Sequence, residues 1–413
     1  MSNRFHIEKL GAQGDGVAAT ETGQVFVRYA LPGETVTAAR QKDRAELIAV
    51  LESSPLRLEP ACRHFGTCGG CAVQHLQPAA YEDWKRQKVV DALRSRGVEA
   101  PVAALVPCAP HTRRRVVMAA RRTEAGMLLG YHEAMSHRIV PIVECPISRP
   151  EIVARLDALR TLAGLVAVSS EPFRLAVTAT ASGLDVAIEG SGELADAARL
   201  KLSDYAAAAG FARVSVDGEI IVEPKKPVVM FGDIAVAPPP GAFLQATAEA
   251  EAAMAALVAG HLAGAKRIAD LFCGSGTFAL RLASRAEVHA VEADAAALAA
   301  LDRAFRFATG LRRVATEKRD LFRRPLMVKE LDRFDGLVFD PPRAGAEDQV
   351  KQLARSAIPA VAAVSCNPTT LARDLAILVA GGYRVTGVTP IDQFLWSPHV
   401  EAVALLEKPK RRR

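Results

Sequence analysis

Apolar and polar positions alternate in short runs near the N-terminus. Glu8-Lys9-Leu10-Gly11 leads into Gly14-Asp15-Gly16-Val17-Ala18, Gly23-Gln24-Val25-Phe26-Val27 alternates, and Leu31-Pro32-Gly33-Glu34 turns before Thr35-Val36-Thr37. Period-two runs broken by Gly and Pro read as strands and turns, and so many within residues 1–53 predict a small β-barrel of the OB type. Ser53-Ser54-Pro55 reads as a linker. The pattern then becomes helical over 78–97, with Tyr81, Trp84, Val89 and Leu93 on one side and Glu82, Lys85, Arg86 and Lys88 on the other. Strands are expected at 115–120, 126–132, 173–180, 183–189 and 213–222, with helices at 150–162 and 194–208. Residues 54–240 thus read as a central α+β domain with no catalytic-looking constellation of its own, ending at Pro238-Pro239-Pro240. From 241 to 413, strands and helices alternate, the pattern of an α/β domain with a doubly wound parallel sheet.

In such a sheet, ligands lie beyond the carboxyl ends of the strands. The stretch RIADLFCGSGTFAL, residues 267–280, reads as strand, tight glycine turn and helix start. Gly274, Gly276 and Ala279 fit G-x-G-x-x-A, a pattern shared by dinucleotide and nucleoside binders. The next strand, Glu287-Val288-His289-Ala290-Val291, ends on Glu292, whose carboxylate is placed to accept from both hydroxyls of a ribose. A nucleoside cofactor follows. The other strand tips are Phe272, Asp320, Asp340 and Cys366. In Asp340-Pro341-Pro342-Arg343 the prolines stiffen the turn and leave the Asp as its defined polar group. Arg343 stands where amino-nitrogen methylating enzymes carry an aromatic residue, which argues against that chemistry. Cys366, in Ser365-Cys366-Asn367-Pro368-Thr369-Thr370, sits at a strand tip before a helix, a position expected to lower a thiol's pKa and make it a nucleophile. Near the C-terminus, Pro398-His399-Val400-Glu401 offers two candidate bases, His399 and Glu401.

The 413 residues are 50% hydrophobic, enough for two or three cores. A net charge of +6 leans towards anionic partners. Arg113-Arg114-Arg115 and Arg121-Arg122 flank apolar strands and are expected to line a surface for phosphates, whereas the basic tail, 408–413, reads as a solvated end. No signal peptide or membrane-spanning run is visible, so a cytoplasmic protein with reduced thiols is expected. Its seven cysteines then serve as ligands, catalysts or core residues. Cys62, Cys68 and Cys71 form C-x5-C-x2-C, and Cys145, fixed by Pro146, is the best fourth ligand, with Cys108 as competitor. Four thiolates suit zinc or an iron–sulfur cluster; the distant fourth ligand favours the cluster and leaves zinc open.

Together, Phe243-Leu244-Gln245, DLFCGSG, Glu292, DPPR, SCNPTTLARDL, PHVE and the cysteine run resemble the S-adenosylmethionine-dependent RNA 5-methyluridine methyltransferases, in particular their iron–sulfur branch acting on ribosomal RNA. The resemblance spans nearly the whole chain, and the N-terminal barrel is similar to a TRAM domain. It implies Cys366 as nucleophile and Glu401 as general base. It implies Gln245, Phe272, Gly274, Gly276, Glu292, Asp320 and Asp340 around S-adenosylmethionine, with Asp320 facing the adenine. It implies a [4Fe–4S] cluster on Cys62, Cys68, Cys71 and Cys145. The expected partner is RNA, 23S ribosomal RNA ahead of transfer RNA, with a monomeric enzyme and no membrane. The chain departs from the family at Thr277, where Asn is frequent, and at Phe394-Leu395-Trp396-Ser397, where many relatives have Met-Phe-Pro-x-Thr. Competing readings are an amino-group methyltransferase, a nicotinamide-binding oxidoreductase and a non-catalytic RNA-binding protein.

Overall fold

The computed structural model describes residues 2–409, so most of the basic tail lies outside the described residues. The first sheet has six strands, β1 (Ser2–His6), β2 (Lys9–Leu10), β3 (Gly16–Thr20), β4 (Gly23–Val27), β5 (Thr35–Gln41) and β6 (Arg44–Glu52), in the order β1-β5-β6-β4-β3-β2. All its pairings are antiparallel except β4 with β6. Its inward face is small and apolar, with Phe5, Ile7, Val25, Val27, Val36 and Ala38 buried together. The first strand, β1, precedes any alternation that the sequence makes visible.

Helix α1 (Pro78–Arg94) follows the cysteine loop. Its buried residues are Tyr81, Lys85, Val89 and Leu93, a strict i, i+4 stripe. Lys85 was expected on the polar side, yet its side chain is 0% exposed and pairs with Asp392 at 2.6 Å. The second sheet contains β7 (Arg115–Thr123), β8 (Gly126–His132), β9 (Ile139–Pro141), β10 (Phe173–Thr180), β11 (Gly183–Glu189), β12 (Arg213–Val216) and β13 (Glu219–Val222), in the order β13-β12-β11-β10-β7-β8-β9. The helix expected over 150–162 is broken into α2 (Pro150–Val153) and α3 (Leu156–Val166), and α4 (Asp196–Ala208) packs beside α3 over the same core. A small hairpin, β14 (Val229–Phe231) with β15 (Ile234–Val236), leads into the last region.

That region runs α5 (Ala248–His261), β16 (Arg267–Leu271), α6 (Ala279–Leu282), β17 (Glu287–Glu292), α7 (Ala295–Phe307), β18 (Val314–Lys318), α8 (Val328–Leu331), β19 (Gly336–Phe339), α9 (Glu347–Arg355), β20 (Ala360–Ser365), α10 (Pro368–Ala380), β21 (Arg384–Ile391) and β22 (Glu401–Glu407). The sheet order is β18-β17-β16-β19-β20-β22-β21. It is mixed rather than wholly parallel, because β22 enters antiparallel between β20 and β21. The insertion places Glu401, the first residue of β22, opposite Ile391 and next to the tip of β20. β19 is buried throughout, as is β20 beyond its first residue, so both need cover on two faces. Helices α9 and α10 cover one face, joined by Val89 and Leu93 of α1; α5 covers the other with Met254 and Val258. Residues 102–106 also add to the outer edge of β21, where Ala103 and Val106 donate to the carbonyls of Val388 and Pro390. The central region is therefore knitted into the C-terminal sheet rather than tethered to it.

Candidate active site

The tips of β16, β17, β19 and β20 and the start of β22 open on one cavity of about 660 Å³. Phe272, Gly274, Glu292, Asp320, Asp340, Cys366, Glu401 and Gln245 all line it. Gly276 lies beneath. Its φ is +100°, and a Cβ there would meet Leu301 Cδ1 at 2.8 Å, so only glycine lets the loop rest on α7. The helix after this turn, α6, spans only four residues, shorter than the glycine pattern suggests. Phe272 leaves β16 with φ +61°, a left-handed conformation uncommon for a bulky residue, and its ring packs on Phe322 at 5.5 Å. Glu292 Oε1 accepts from the N–H groups of Ala293 and Asp294 at 2.6 and 3.0 Å, and its Oε2 accepts from Gly274 at 3.1 Å. Asp320 accepts from the N–H of Phe322 at 3.0 Å. At this end the cavity joins two aromatic rings to two carboxylates.

The other end is more buried. Glu401 is 2% exposed, and its carboxyl is pushed well up, first by burial and then by Asp340. Asp340 is also pushed up by burial, while Gln245 Nε2 donates to its Oδ2 at 2.8 Å and opposes that shift. The Cys366 thiol is pushed up to about 11 by burial and by Glu401 and Asp340, with Arg343 pulling the other way. The sequence reading expected a lowered thiol. Cys366 stands one residue ahead of Asn367, the N-cap of α10, and two facing carboxylates with burial outweigh the helix end. His399 is held as a neutral imidazole, pushed down to about 4 by burial and by the cationic groups around it, with its Nδ1 3.2 Å from Arg343 Nη2. The carbonyl of Arg343 accepts from Asn367 Nδ2 and Thr370 Oγ1, which locks the DPPR turn against the SCNPTT turn.

Phe394 and His399 form a wall shared with a second cavity of about 330 Å³. Cys62, Cys68, Cys71 and Cys145 all line this second cavity, whereas Cys108 lies outside it beside Thr112. Gly70 N–H, Gln74 Nε2 and Ser148 Oγ point donors at the sulfurs of Cys68, Cys71 and Cys145 at 3.4, 3.6 and 3.2 Å. Burial pushes the thiols of Cys62, Cys68 and Cys71 up, and the other thiols of the group add to it. Such a set ionises together only around a cation. Among the described residues, no three or more Cys, His, Asp or Glu side chains stand at the spacing of a single-ion site.

The sequence profile described as tRNA (Uracil-5-)-methyltransferase matches residues 229–409. Over 417 aligned residues, 97% of this chain and 92% of the relative, the chain is 31% identical to the 23S rRNA (uracil(1939)-C(5))-methyltransferase RlmD of Pectobacterium atrosepticum. The chain belongs to the uracil-5 RNA methyltransferase family. It is an S-adenosylmethionine-dependent enzyme acting on carbon 5 of uracil in RNA. It is also 66% identical, over the full length of both chains, to a protein of Mesorhizobium japonicum named an uncharacterized RNA methyltransferase. Among solved structures, the tRNA (uracil-54, C5)-methyltransferase of Pyrococcus abyssi in complex with S-adenosyl-L-homocysteine aligns with a TM-score of 0.75 and 25% identity, covering 98% of this chain and 99% of that one.

The methyltransferase departs from the sequence expectations at its arginines. Arg114 is buried, paired with Glu251 and donating to the carbonyl of Gln245. Arg115 donates to the carbonyls of Ala242 and Gly241. Arg121 and Arg122 remain exposed while donating to the carbonyl of Ser170 and to those of Gly164 and Ala167. Arg114 and Arg115 thus hold the 241–246 segment of the methyltransferase in place instead of presenting a phosphate surface. The buried contacts of α1 were equally invisible in the sequence. Asp392 takes Lys85 and the Tyr81 hydroxyl, Lys85 also donates to the carbonyl of Phe394 at 2.9 Å, and Trp396, at φ +58°, donates its N–H to Tyr81. The region expected to lack catalytic groups therefore pins the loop that walls the active site. Among the described residues no helix is long and apolar enough to cross a membrane.

Proposed function

We propose that this methyltransferase modifies a uridine of 23S ribosomal RNA through a covalent bond between Cys366 and the base. The observation that carries this reading is the meeting of Cys366 and Glu401 in the same cavity as the glycine loop and Glu292. S-adenosylmethionine, when bound, supplies an electrophilic methyl group and a positive charge that favours the thiolate. Phe272 and Phe322 are the residues to hold its purine, Asp320 its adenine edge and Glu292 its ribose hydroxyls. Carbon 5 of uracil is a poor nucleophile. Addition of Cys366 Sγ to carbon 6 places negative charge on carbon 5, the position to be methylated. Once carbon 5 has taken the methyl group with that electron pair, Glu401 takes the proton from carbon 5, the C–H pair re-forms the C5=C6 double bond, and the C6–S pair leaves with the thiolate. The raised proton affinity of Glu401 suits a base, and the lowered affinity of His399 argues against the rival.

The four cysteines of the second cavity fit a [4Fe–4S] cluster. Structural zinc sites usually draw on two close ligand pairs, whereas here the fourth thiol, Cys145, comes from far along the chain. A cluster spans more space, and donors to sulfur are its usual surroundings. We further propose that the N-terminal sheet is a TRAM-like barrel that meets RNA. The 23S relative and the cysteine run favour ribosomal over transfer RNA.

The test uses RNA carrying 5-fluorouridine, whose carbon 5 holds no removable proton. Native protein should form an adduct that survives denaturing electrophoresis, and Cys366→Ala should form none while still binding S-adenosylhomocysteine. Turnover by Cys366→Ala would overturn the covalent reading. Mapping 5-methyluridine in total RNA from a deletion strain decides between ribosomal and transfer RNA.

A further inference from the structure

The two buried carboxylates of the site are joined by two amides. Gln393 is 1% exposed. Its Oε1 accepts from the backbone N–H of Ala246 at 2.8 Å, a group that can only donate, so the orientation of the amide is determined. Its Nε2 must then donate both ways, to Gln245 Oε1 at 2.7 Å and to Glu401 Oε2 at 2.5 Å. Gln245 Nε2 passes the same polarity on to Asp340 Oδ2. The result is a directed chain in which both carboxylates accept and neither amide can turn round. Meanwhile Glu401 Oε1 is buried without any partner, in a residue that borders the cavity holding Cys366.

We propose that Gln393 is the positioning residue of the general base: by donating to Glu401 Oε2 it favours the ionised carboxylate and leaves Oε1 as the oxygen that receives the carbon-5 proton. The inference rests on Glu401 being the base. In the step concerned, the carbon-5 proton moves to Oε1 and the C–H electron pair becomes the C5=C6 bond. The C6–S pair then leaves with Cys366 as thiolate. The titratable groups around Glu401 are Asp340 after β19, Cys366 at the tip of β20 and His399 in its own loop, with Arg343 beside them. Asp392 at the end of β21 is occupied by Lys85, and Glu251 of α5 by Arg114 and Arg281. Burial and Asp340 raise the Glu401 carboxyl, and the Gln393 hydrogen bond opposes them. A hydrogen bond to a charged group corresponds to about one to two pH units.

The experiment compares native protein, Gln393→Met and Glu401→Gln with RNA and labelled S-adenosylmethionine across pH. It follows turnover and the methylated covalent adduct on denaturing gels, with S-adenosylhomocysteine binding as the check on folding. Gln393→Met should move the acid limb of turnover up by about one to two pH units. It should also accumulate the methylated adduct below that limb and recover turnover as pH rises. Gln393→Leu likewise removes the donor to Glu401, so it should shift the limb the same way and serves if Gln393→Met does not fold. A native pH profile in either folded variant overturns the proposal, as does an equal loss of turnover at every pH, which marks packing alone. If Glu401→Gln turns over normally, the base reading itself fails. If Glu401→Gln traps the adduct while the Gln393 variants behave as native, only the role of Gln393 fails.

Discussion

Replacing Lys85 by Met removes one half of an ion pair whose two side chains are both 0% exposed. Burial pulls the Lys85 ammonium down, and Asp392 holds it up. After the substitution, Asp392 retains the Tyr81 hydroxyl and the N–H of Phe394 at 3.0 Å but loses its counter-charge. Breaking a buried pair from one side costs about 3–5 kcal/mol, a large part of a typical stability of about 5–15 kcal/mol. Met keeps most of the lysine's aliphatic volume, so the loss reports charge rather than a cavity. The double variant Lys85→Met/Asp392→Leu leaves no buried charge and should recover most of the loss, because apolar replacement of a buried pair is often neutral. Guanidinium denaturation of the two singles and the double completes the cycle, with a coupling of at least about 3 kcal/mol expected. Methylation should fall in Lys85→Met beyond what unfolding explains, since Asp392 precedes Gln393 and Lys85 holds the carbonyl of Phe394. A Lys85→Met cost below about 1 kcal/mol, or a double variant that costs the sum of the singles, would refute the reasoning.

His75 is fully buried with both ring nitrogens unpartnered, and burial pushes it down to about 4 from 6.5. The unfolded chain therefore binds the proton first, so stability is full above pH 6.5 and is lost as pH falls towards 4, by up to about 3 kcal/mol. His75→Phe should flatten that slope in pH-dependent denaturation, and an unchanged slope would place the titration elsewhere. Arg114→Ala leaves Glu251 with Arg281 alone and should destabilise by about 1.5–3 kcal/mol. It should not alter the salt dependence of RNA binding, measured by titration at several ionic strengths, because its guanidinium faces Glu251 and Gln245. Cys366, held up at about 11, should be alkylated by iodoacetamide about tenfold faster per pH unit between about 7 and 10, followed by mass spectrometry of its peptide. A rate already level at pH 7 would show a thiolate in the free enzyme.

Much of the α/β region was legible locally. The alternation expected from 241 onward is met by elements such as the helix over 295–307 and the strand over 314–318, where period and composition agree over the whole length of each. The tips at Glu292, Asp340 and Cys366 were legible for the same reason: a strand that runs into a glycine, proline or capping signal marks its own end. Lys85 was not, because the 81-85-89-93 stripe becomes the buried face only once Asp392, more than 300 residues away, arrives to pair with it. Arg114 and Arg115 read as surface charge because their acceptors are carbonyls and a carboxylate of a distant segment. Strand order is likewise silent in periodicity, so nothing local showed that β22 would run antiparallel between β20 and β21. That placement sets Glu401 beside Cys366. The path from Asp340 through Gln245 and Gln393 to Glu401 draws on four separate stretches of chain, and the proton affinities of Cys366 and Glu401 follow from the burial they share. Local sequence determines which elements form and where they stop. Which charges meet, and in how little water, is decided when those elements pack, because desolvation and Coulomb energies depend on distances that only the tertiary fold creates.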